Sequence, residues 1–267
     1  RSIVCQLLSI NEMKFLAIIP ARYASSRFPG KPLADLGGLP MVQRVYEQAK
    51  KVLDTVIVAT DDKRIYDCVK TFGGEAVMTS STHTCGTDRV YEAYQHYCAI
   101  SSLPVIHTET VVINIQGDEP FINPEQINQI SELISSDESH IASLCKPIKD
   151  AEELFDNNVV KVVFDKEGKA LYFSRQTIPF LRKVEKEEHL WMQERTFYKH
   201  IGIYAYKTTV LKEISSLPQS GLELAECLEQ LRWLENSYTI KMGITEFESY
   251  SIDTPQDVEK CLKFFND

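Results

Sequence analysis

At 267 residues, with 43% hydrophobic and 25% charged residues, the chain has the composition of an ordinary globular protein with enough material for a large core. Its formal charge of −9, from 38 acidic against 29 basic residues, opposes a nucleic-acid backbone, whose binding needs clustered Lys and Arg, and leaves small anions open if cations gather locally. Seven scattered cysteines without a C-x-x-C pair argue against a disulfide framework and a zinc site, and they suit a reducing, cytoplasmic compartment.

Residues 1–12 (RSIVCQLLSINE) begin with Arg, and their interrupted apolar stretch lacks the flanks of a secretory leader and the length of a membrane span. They read as a non-native or upstream segment with Met13 as the natural start, so no membrane insertion is expected. Residues 15–20 (FLAIIP) are continuously apolar, as a strand buried on both faces of a parallel sheet requires. After a polar loop, Met41, Val42, Val45, Ala49 and Val52 recur at helical spacing, and residues 55–60 (TVIVAT) read as a second buried strand, which completes a βαβ unit. The alternation continues with a helix over 65–72, a strand over 76–78, a helix over 90–97 and a strand over 111–115. Asn123, Pro124 and Gln126 have the identities of N-cap, N1 and N3 of a further helix whose apolar face is Ile127, Ile130 and Leu133.

From 146 to 206 the texture changes to β-branched and aromatic runs (VVKVVFD, ALYFS, FYKHIGIYAY) around a charged stretch, LRKVEKEEHLWMQER, which predicts an antiparallel excursion with a solvated loop. Helices over 222–236 and 257–265 close the chain. The pattern predicts an α/β fold: one doubly wound, mainly parallel sheet in a single domain, 13–267, with 146–206 as a β-rich excursion.

The first strand runs into PARYASSRFPGKP, which gathers Arg22, Arg27 and Lys31 at the carboxyl end of a central strand, where ligands of open α/β sheets bind. Gly30 would let the loop turn backbone N–H groups toward an anion. Neither a P-loop nor a dinucleotide fingerprint occurs, and on residue chemistry alone a solvated basic loop is as good a reading. Asp118, in QGDEP just past a strand, and Asp253, in SIDTPQD, are oxygen donors suited to a hard cation; each is also an ordinary turn or helix-start acid. In the second motif Thr254, Pro255 and Asp257 match the cap, N1 and N3 positions, which leaves Asp253 spare. His200 could be a core histidine, and Arg175 has the guanidinium that grips carboxylates.

IIPARYASSRFPGKPL resembles the opening signature of the CMP-Kdo synthetases, the 3-deoxy-manno-octulosonate cytidylyltransferases. THTCGTDRV, VINIQGDEPFI, VVKVVFD, ALYFSRQTIPF, KHIGIYAY, LELAECLEQLRWL and SIDTPQDVE continue the resemblance in family order over most of residues 14–261. Cys85 and Asp88 depart from it, standing where Ser and Glu are common. The resemblance implies a nucleotide-diphospho-sugar transferase-like fold with an excursion used for dimerisation and sugar binding, hence a homodimer. It implies an enzyme that joins the sugar acid to CMP from CTP, releasing pyrophosphate, with Mg²⁺, for lipopolysaccharide synthesis. It assigns Arg22, Lys31, Asp118 and Asp253 to catalysis, and the two aspartates to the metal. Arg22, Arg27, Lys31, Arg89 and Gln116 are assigned to the nucleotide, and Arg175, His200, Tyr204, Glu223 and Gln230 to the sugar. A related nucleotidyltransferase for another sugar acid, a glycosyltransferase of similar fold and a silent nucleotide-binding protein stay as alternatives.

Overall fold

The computed structural model describes residues 13–24, 27–102, 110–136, 139–184 and 188–262. The expectations for residues 1–12 and for the middle of the charged run KVEKEEH lie outside the described residues.

In chain order the elements are β1 (Lys14–Ala21), α1 (Met41–Lys50), β2 (Thr55–Thr60), α2 (Lys63–Thr71), β3 (Glu75–Met78), α3 (Gly86–Ser101), β4 (Thr110–Asn114) and α4 (Pro124–Ser136). There follow β5 (Ile141–Pro147), α5 (Ala151–Phe155), β6 (Lys161–Phe164), β7 (Ala170–Ser174), α6 (Glu188–Glu194) and β8 (Tyr198–Lys207). The chain continues through α7 (Thr208–Ile214), α8 (Gly221–Glu226), α9 (Gln230–Glu235), β9 (Ile240–Ile244) and α10 (Pro255–Leu262).

The main sheet runs β3-β2-β1-β4-β8-β5-β9. β1 pairs in parallel with β2 and β4, β2 with β3, and β5 with β9, whereas β8 is antiparallel to both neighbours, β4 and β5. The carboxyl ends of β1, β4, β5 and β9 therefore share one edge. β6 and β7 form an antiparallel pair off this path, joined to β8 at Lys161 and Lys199.

Period-2 alternation divides the buried strand residues between two cores. Leu16 and Ile18 of β1 join Val90, Ala93 and Tyr94 of α3, Leu211 of α7 and Trp233 of α9 on one face. Ala17 and Ile19 join Val42, Val45 and Ala49 of α1, Ile65 of α2 and Ile127 and Ile130 of α4 on the other. A fully buried Val, Leu or Ile of this kind contributes about 1.5–3 kcal/mol. This double burial explains why the strands read as continuous apolar runs.

Several elements differ from the sequence expectation. β5, α5, α6, α7 and β9 are additional to it, and the run expected as one helix over 222–236 divides into α8 and α9 at Cys227, which adopts φ 52°. Of the β-rich excursion expected over 146–206, the run FYKHIGIYAY forms β8, which lies inside the main sheet between β4 and β5, while β6 and β7 lie off it. Asn123 behaves as the predicted cap: its Oδ1 accepts from Glu125 N–H at 2.9 Å, while Gln126 Oε1 accepts from Asn123 N–H at 3.0 Å. Among the described residues, no helix is long and apolar enough to cross a membrane.

Candidate active site

The loop leaving β1 is shaped by Gly30, which sits at φ 75° and donates its N–H to the Tyr23 carbonyl at 2.9 Å. A Cβ there would meet the Tyr23 ring at 3.1 Å in a left-handed conformation that glycine adopts freely. The N–H groups of Gly30 and Lys31 close the loop on the carbonyls of Tyr23 and Phe28, so they do not face an anion as the sequence suggested. Anion attraction falls to the side chains.

Those side chains border a cavity of about 320 Å³. Arg22, Arg27 and Lys31 line one wall, Gln116, Gly117 and Asp118 from the loop after β4 another, His83, Cys85, Gly86 and Arg89 at the start of α3 a third, and Asp253 completes the rim. Gly117 permits the approach of the β1 and β4 loops, because a Cβ at that position would lie 2.8 Å from the Pro20 carbonyl oxygen.

Lys31 is the junction of the site. Its Nζ lies 2.6 Å from Asp118 Oδ2 and 3.2 Å from Asp253 Oδ1, and Arg27 reaches the other Asp253 oxygen at 3.2 Å. Asp118 and Asp253, far apart in sequence, thus converge on one cation position. The convergence is braced by Ile252 N–H, which donates to the Asp118 carbonyl at 2.9 Å, and by Ser249 Oγ, which donates to Glu119 Oε2 at 2.7 Å. Burial raises the Glu119 carboxyl to about 7; the Ser249 hydroxyl opposes this and the Asp118 charge adds to it.

The start of α10 explains why Asp253 is available. Asp257 Oδ2 accepts from the N–H and hydroxyl of Thr254 at 2.9 and 2.8 Å, and from Asp253 N–H at 3.1 Å. The helix start is satisfied from within, and the Asp253 carboxylate turns to Lys31 and Arg27.

Two carboxylates already drawn to an ammonium form an oxygen donor set that would suit a hard divalent cation. Among the described residues, no group of three or more His, Cys, Asp or Glu surrounds a metal position. Asp118 and Asp253 are the residues that would hold such a cation.

Arg89 lines the cavity with its charge compensated: its guanidinium donates to Asp61 Oδ2 at 2.9 Å and to Thr79 Oγ1 at 2.6 Å. Gln116 Nε2 donates to Asn114 Oδ1 at 3.2 Å. His83, which sequence reasoning did not single out although it lies in THTCGTDRV, borders the cavity and pairs with Glu92.

The residues assigned to the sugar, Arg175, His200, Tyr204, Glu223 and Gln230, are not among those lining this cavity. His200 and Tyr204 of β8 are neighbours, with ring centroids 5.3 Å apart, and Tyr204 packs edge-on against Trp233 at 5.1 Å. Ser143 Oγ lies 2.9 Å from the Ile203 carbonyl and 3.0 Å from His200 Nε2. A hydroxyl that gives its one proton to Ile203 accepts from Nε2–H, which makes Nδ1 the unprotonated nitrogen of the ring. Burial pushes the His200 imidazole down to about 3, so it stays neutral. The buried Tyr204 hydroxyl has no hydrogen-bond partner among the described residues.

Arg175 follows β7, with its Nε donating to the Glu226 carbonyl at 2.8 Å and its N–H to the Glu226 carboxylate at 2.9 Å. Lys161 fixes this corner by donating to the Asp156, Val159 and Arg175 carbonyls. Glu223 is committed elsewhere: both of its oxygens face Arg232, with Nε 2.7 Å from Oε2, and Oε2 also accepts from Ser220 N–H in the capping box of α8. The acid beside Gln230 that keeps an unpartnered buried oxygen is Glu229. Its pKa is raised by burial, and side-chain hydrogen bonds from Thr87 and from Cys85, which lines the cavity, oppose the rise. Sequence reasoning missed Glu229 because Glu223, Glu226 and Glu229 follow one another at spacings of three residues in the same segment.

Residues 16–244 match the family model described as cytidylyltransferase. A 3-deoxy-manno-octulosonate cytidylyltransferase of Parabacteroides distasonis is 57% identical, covering 94% of this chain and 98% of the relative; one of Bacteroides thetaiotaomicron is 55% identical with the same coverage. A solved structure described as CMP:2-keto-3-deoxy-manno-octonic acid synthetase complexed with CTP superposes with a TM-score of 0.83 at 40% identity, covering 95% of this chain and 98% of the other. By the family match and these identities over nearly the whole chain, the protein belongs to the 3-deoxy-manno-octulosonate cytidylyltransferase family.

Proposed function

We propose that this protein transfers the cytidylyl group of CTP to 3-deoxy-manno-octulosonate, releasing pyrophosphate and activating the sugar acid for lipopolysaccharide synthesis. The single observation that carries the reading is the convergence of Asp118, Asp253 and Lys31 on one point of a cationic cavity at the carboxyl edge of the sheet. Family membership supports the choice of base and sugar, which residue chemistry leaves open.

In the reaction, the anomeric 2-hydroxyl attacks the α-phosphorus in line; the new P–O bond forms as the bond to the pyrophosphate oxygen breaks, and the hydroxyl proton passes to solvent. No covalent enzyme intermediate is needed, so catalysis rests on alignment and charge stabilisation. Arg22, Arg27 and Lys31 attract the triphosphate and stabilise the departing pyrophosphate. Mg²⁺, held by Asp118 and Asp253, would neutralise the α-phosphate and lower the pKa of the attacking hydroxyl. Arg89 and Gln116 form the nucleotide side of the cavity, with Arg89 fixed by Asp61 and Thr79. Arg175, neutral His200, Tyr204, Gln230 and Glu229 contribute to the sugar side. Glu229, with its unpartnered oxygen, is better suited than Glu223 to accept a sugar hydroxyl.

The exposed Leu171 on β7 and Phe180 beyond it support a homodimer formed through the excursion. The six described cysteines, all free thiols, accord with a cytoplasmic location. Pyrophosphate release, measured with each of the four nucleoside triphosphates, Mg²⁺ and a panel of sugar acids, tests the reading. Turnover should require CTP and the octulosonate. Release of a nucleoside diphosphate would identify a glycosyltransferase, and the absence of any product a binding protein.

A further inference from the structure

The position between Asp118 and Asp253 is held by a cation of the chain itself. Lys31 Nζ contacts one oxygen of each carboxylate, at 2.6 and 3.2 Å, and only 12% of the Lys31 side chain is exposed. An ammonium wedged in this way satisfies the charges that would otherwise recruit a divalent cation. The same lysine extends from the loop that faces the phosphates, one residue beyond Gly30 and in the same cavity wall as Arg22 and Arg27.

We infer that Lys31 is a placeholder that couples metal binding to nucleotide binding: it holds the two carboxylates until a triphosphate draws its ammonium away and leaves them to the metal. The inference rests on the metal reading of Asp118 and Asp253 given above and adds the order in which the site is filled.

The charge balance supports this order. Without nucleotide, the cations Arg22, Arg27 and Lys31 outnumber the carboxylates Asp118 and Asp253, and a further divalent cation gains little. A triphosphate brings several negative charges into the cavity. The ammonium then has stronger acceptors in the phosphate oxygens, and the two carboxylates, no longer compensated, face one another across a few ångströms. Their mutual repulsion and the new phosphate charge both favour a divalent ion at the point that Lys31 has left. Asp253 keeps Arg27 at 3.2 Å, whereas Lys31 is the only cation paired with Asp118 among the described residues, so Lys31 decides when both ligands are available together. By linkage, whatever nucleotide does for the metal, metal does for nucleotide. The arrangement also keeps the enzyme from holding the ion in the absence of the substrate phosphates that the ion serves.

The test is Mn²⁺ binding to the nucleotide-free protein, read by electron paramagnetic resonance of the free ion, in wild type, Lys31→Met and Lys31→Arg. Circular dichroism checks folding, and Lys31→Gln replaces Lys31→Met if the latter does not fold. Lys31→Met should bind Mn²⁺ on the order of tenfold more tightly than wild type despite impaired catalysis, while Lys31→Arg, which keeps a cation in place, should stay close to wild type. Equal or weaker Mn²⁺ binding by the folded neutral variant would overturn the placeholder role. Asp118→Asn, measured with CTP present and no sugar acid, separates the two readings. If it leaves Mn²⁺ affinity unchanged relative to wild type, the carboxylates are not the metal ligands and both readings fail. If it weakens binding while Lys31→Met does not tighten it, only the placeholder role fails.

Discussion

The carboxylate of Asp257 accepts the backbone N–H of Asp253 at 3.1 Å, so the acid four residues beyond Asp253 closes the start of α10 and leaves the Asp253 side chain facing the cavity. The two acids of SIDTPQD therefore have separable roles. Asp257→Ala should lower stability by about 1 kcal/mol, the cost of losing a helix cap, and leave the metal dependence of turnover alone. Asp253→Asn should change thermal unfolding by a few tenths of a kcal/mol at most and reduce kcat on the order of a hundredfold or more across a Mg²⁺ titration. Preserved activity at limiting Mg²⁺ in Asp253→Asn would assign Asp253 to the helix start and remove it from the metal site.

Glu223 and Glu229 offer a second contrast. The Glu223 carboxylate and the Arg232 guanidinium are buried together, with side chains 7% and 3% exposed, and removal of one partner leaves an uncompensated buried charge. Glu223→Ala should therefore cost about 3–5 kcal/mol in urea unfolding. Glu229→Gln keeps the size and a hydrogen-bonding group at a buried position while removing the carboxylate, and it should fold normally. Its effect should fall on KM for the sugar acid, on the order of tenfold, the loss of one hydrogen bond to a charged or strongly polarised acceptor. A large KM effect from a folded Glu223 variant, with none from Glu229→Gln, would reverse the assignment.

How much of this was legible in the sequence depended on whether the signal was local. FLAIIP and TVIVAT announce strands buried on both faces, and the cationic loop and Asp118 follow from their positions at strand ends. β5 was not legible because Ser143 and Lys146 interrupt its apolar run; both are buried, and their partners, the Ile203 carbonyl and His200 for Ser143 and the Glu246 carbonyl for Lys146, are distant in sequence. β9, IKMGI, is short and carries a lysine and a glycine, and its strand pairing is with β5, distant in sequence. The break between α8 and α9 falls at Cys227, a left-handed residue with no glycine to mark it. The commitment of Glu223 to Arg232 is likewise tertiary, since the spacing of three acids in one segment does not say which faces an arginine.

His200 supplies a pH dependence of known sign. Its folded-state pKa, about 3, lies below the ordinary imidazole value of 6.5, so between these values the unfolded chain binds more protons than the folded one. Its contribution to stability is fully present above 6.5 and declines as the pH falls toward 3. The stability difference between wild type and His200→Gln should therefore be constant above about pH 7 and shift against wild type as the solution is acidified. A difference that stays flat from pH 7 to pH 4 would mean that the ring takes up a proton without unfolding. The pH profile of kcat between 6 and 8 should be unchanged by titration of this ring.

In the proposed reaction the sugar hydroxyl displaces pyrophosphate directly at the α-phosphorus, aligned by Lys31, Asp118 and Asp253 without a covalent enzyme intermediate. The most direct test uses a single diastereomer of CTP with sulfur in place of one α-phosphate oxygen, and determines the configuration at phosphorus in the CMP-sugar product. One in-line displacement predicts inversion. Retention would require two displacements, and hence a nucleotidylated enzyme group, and would contradict direct transfer.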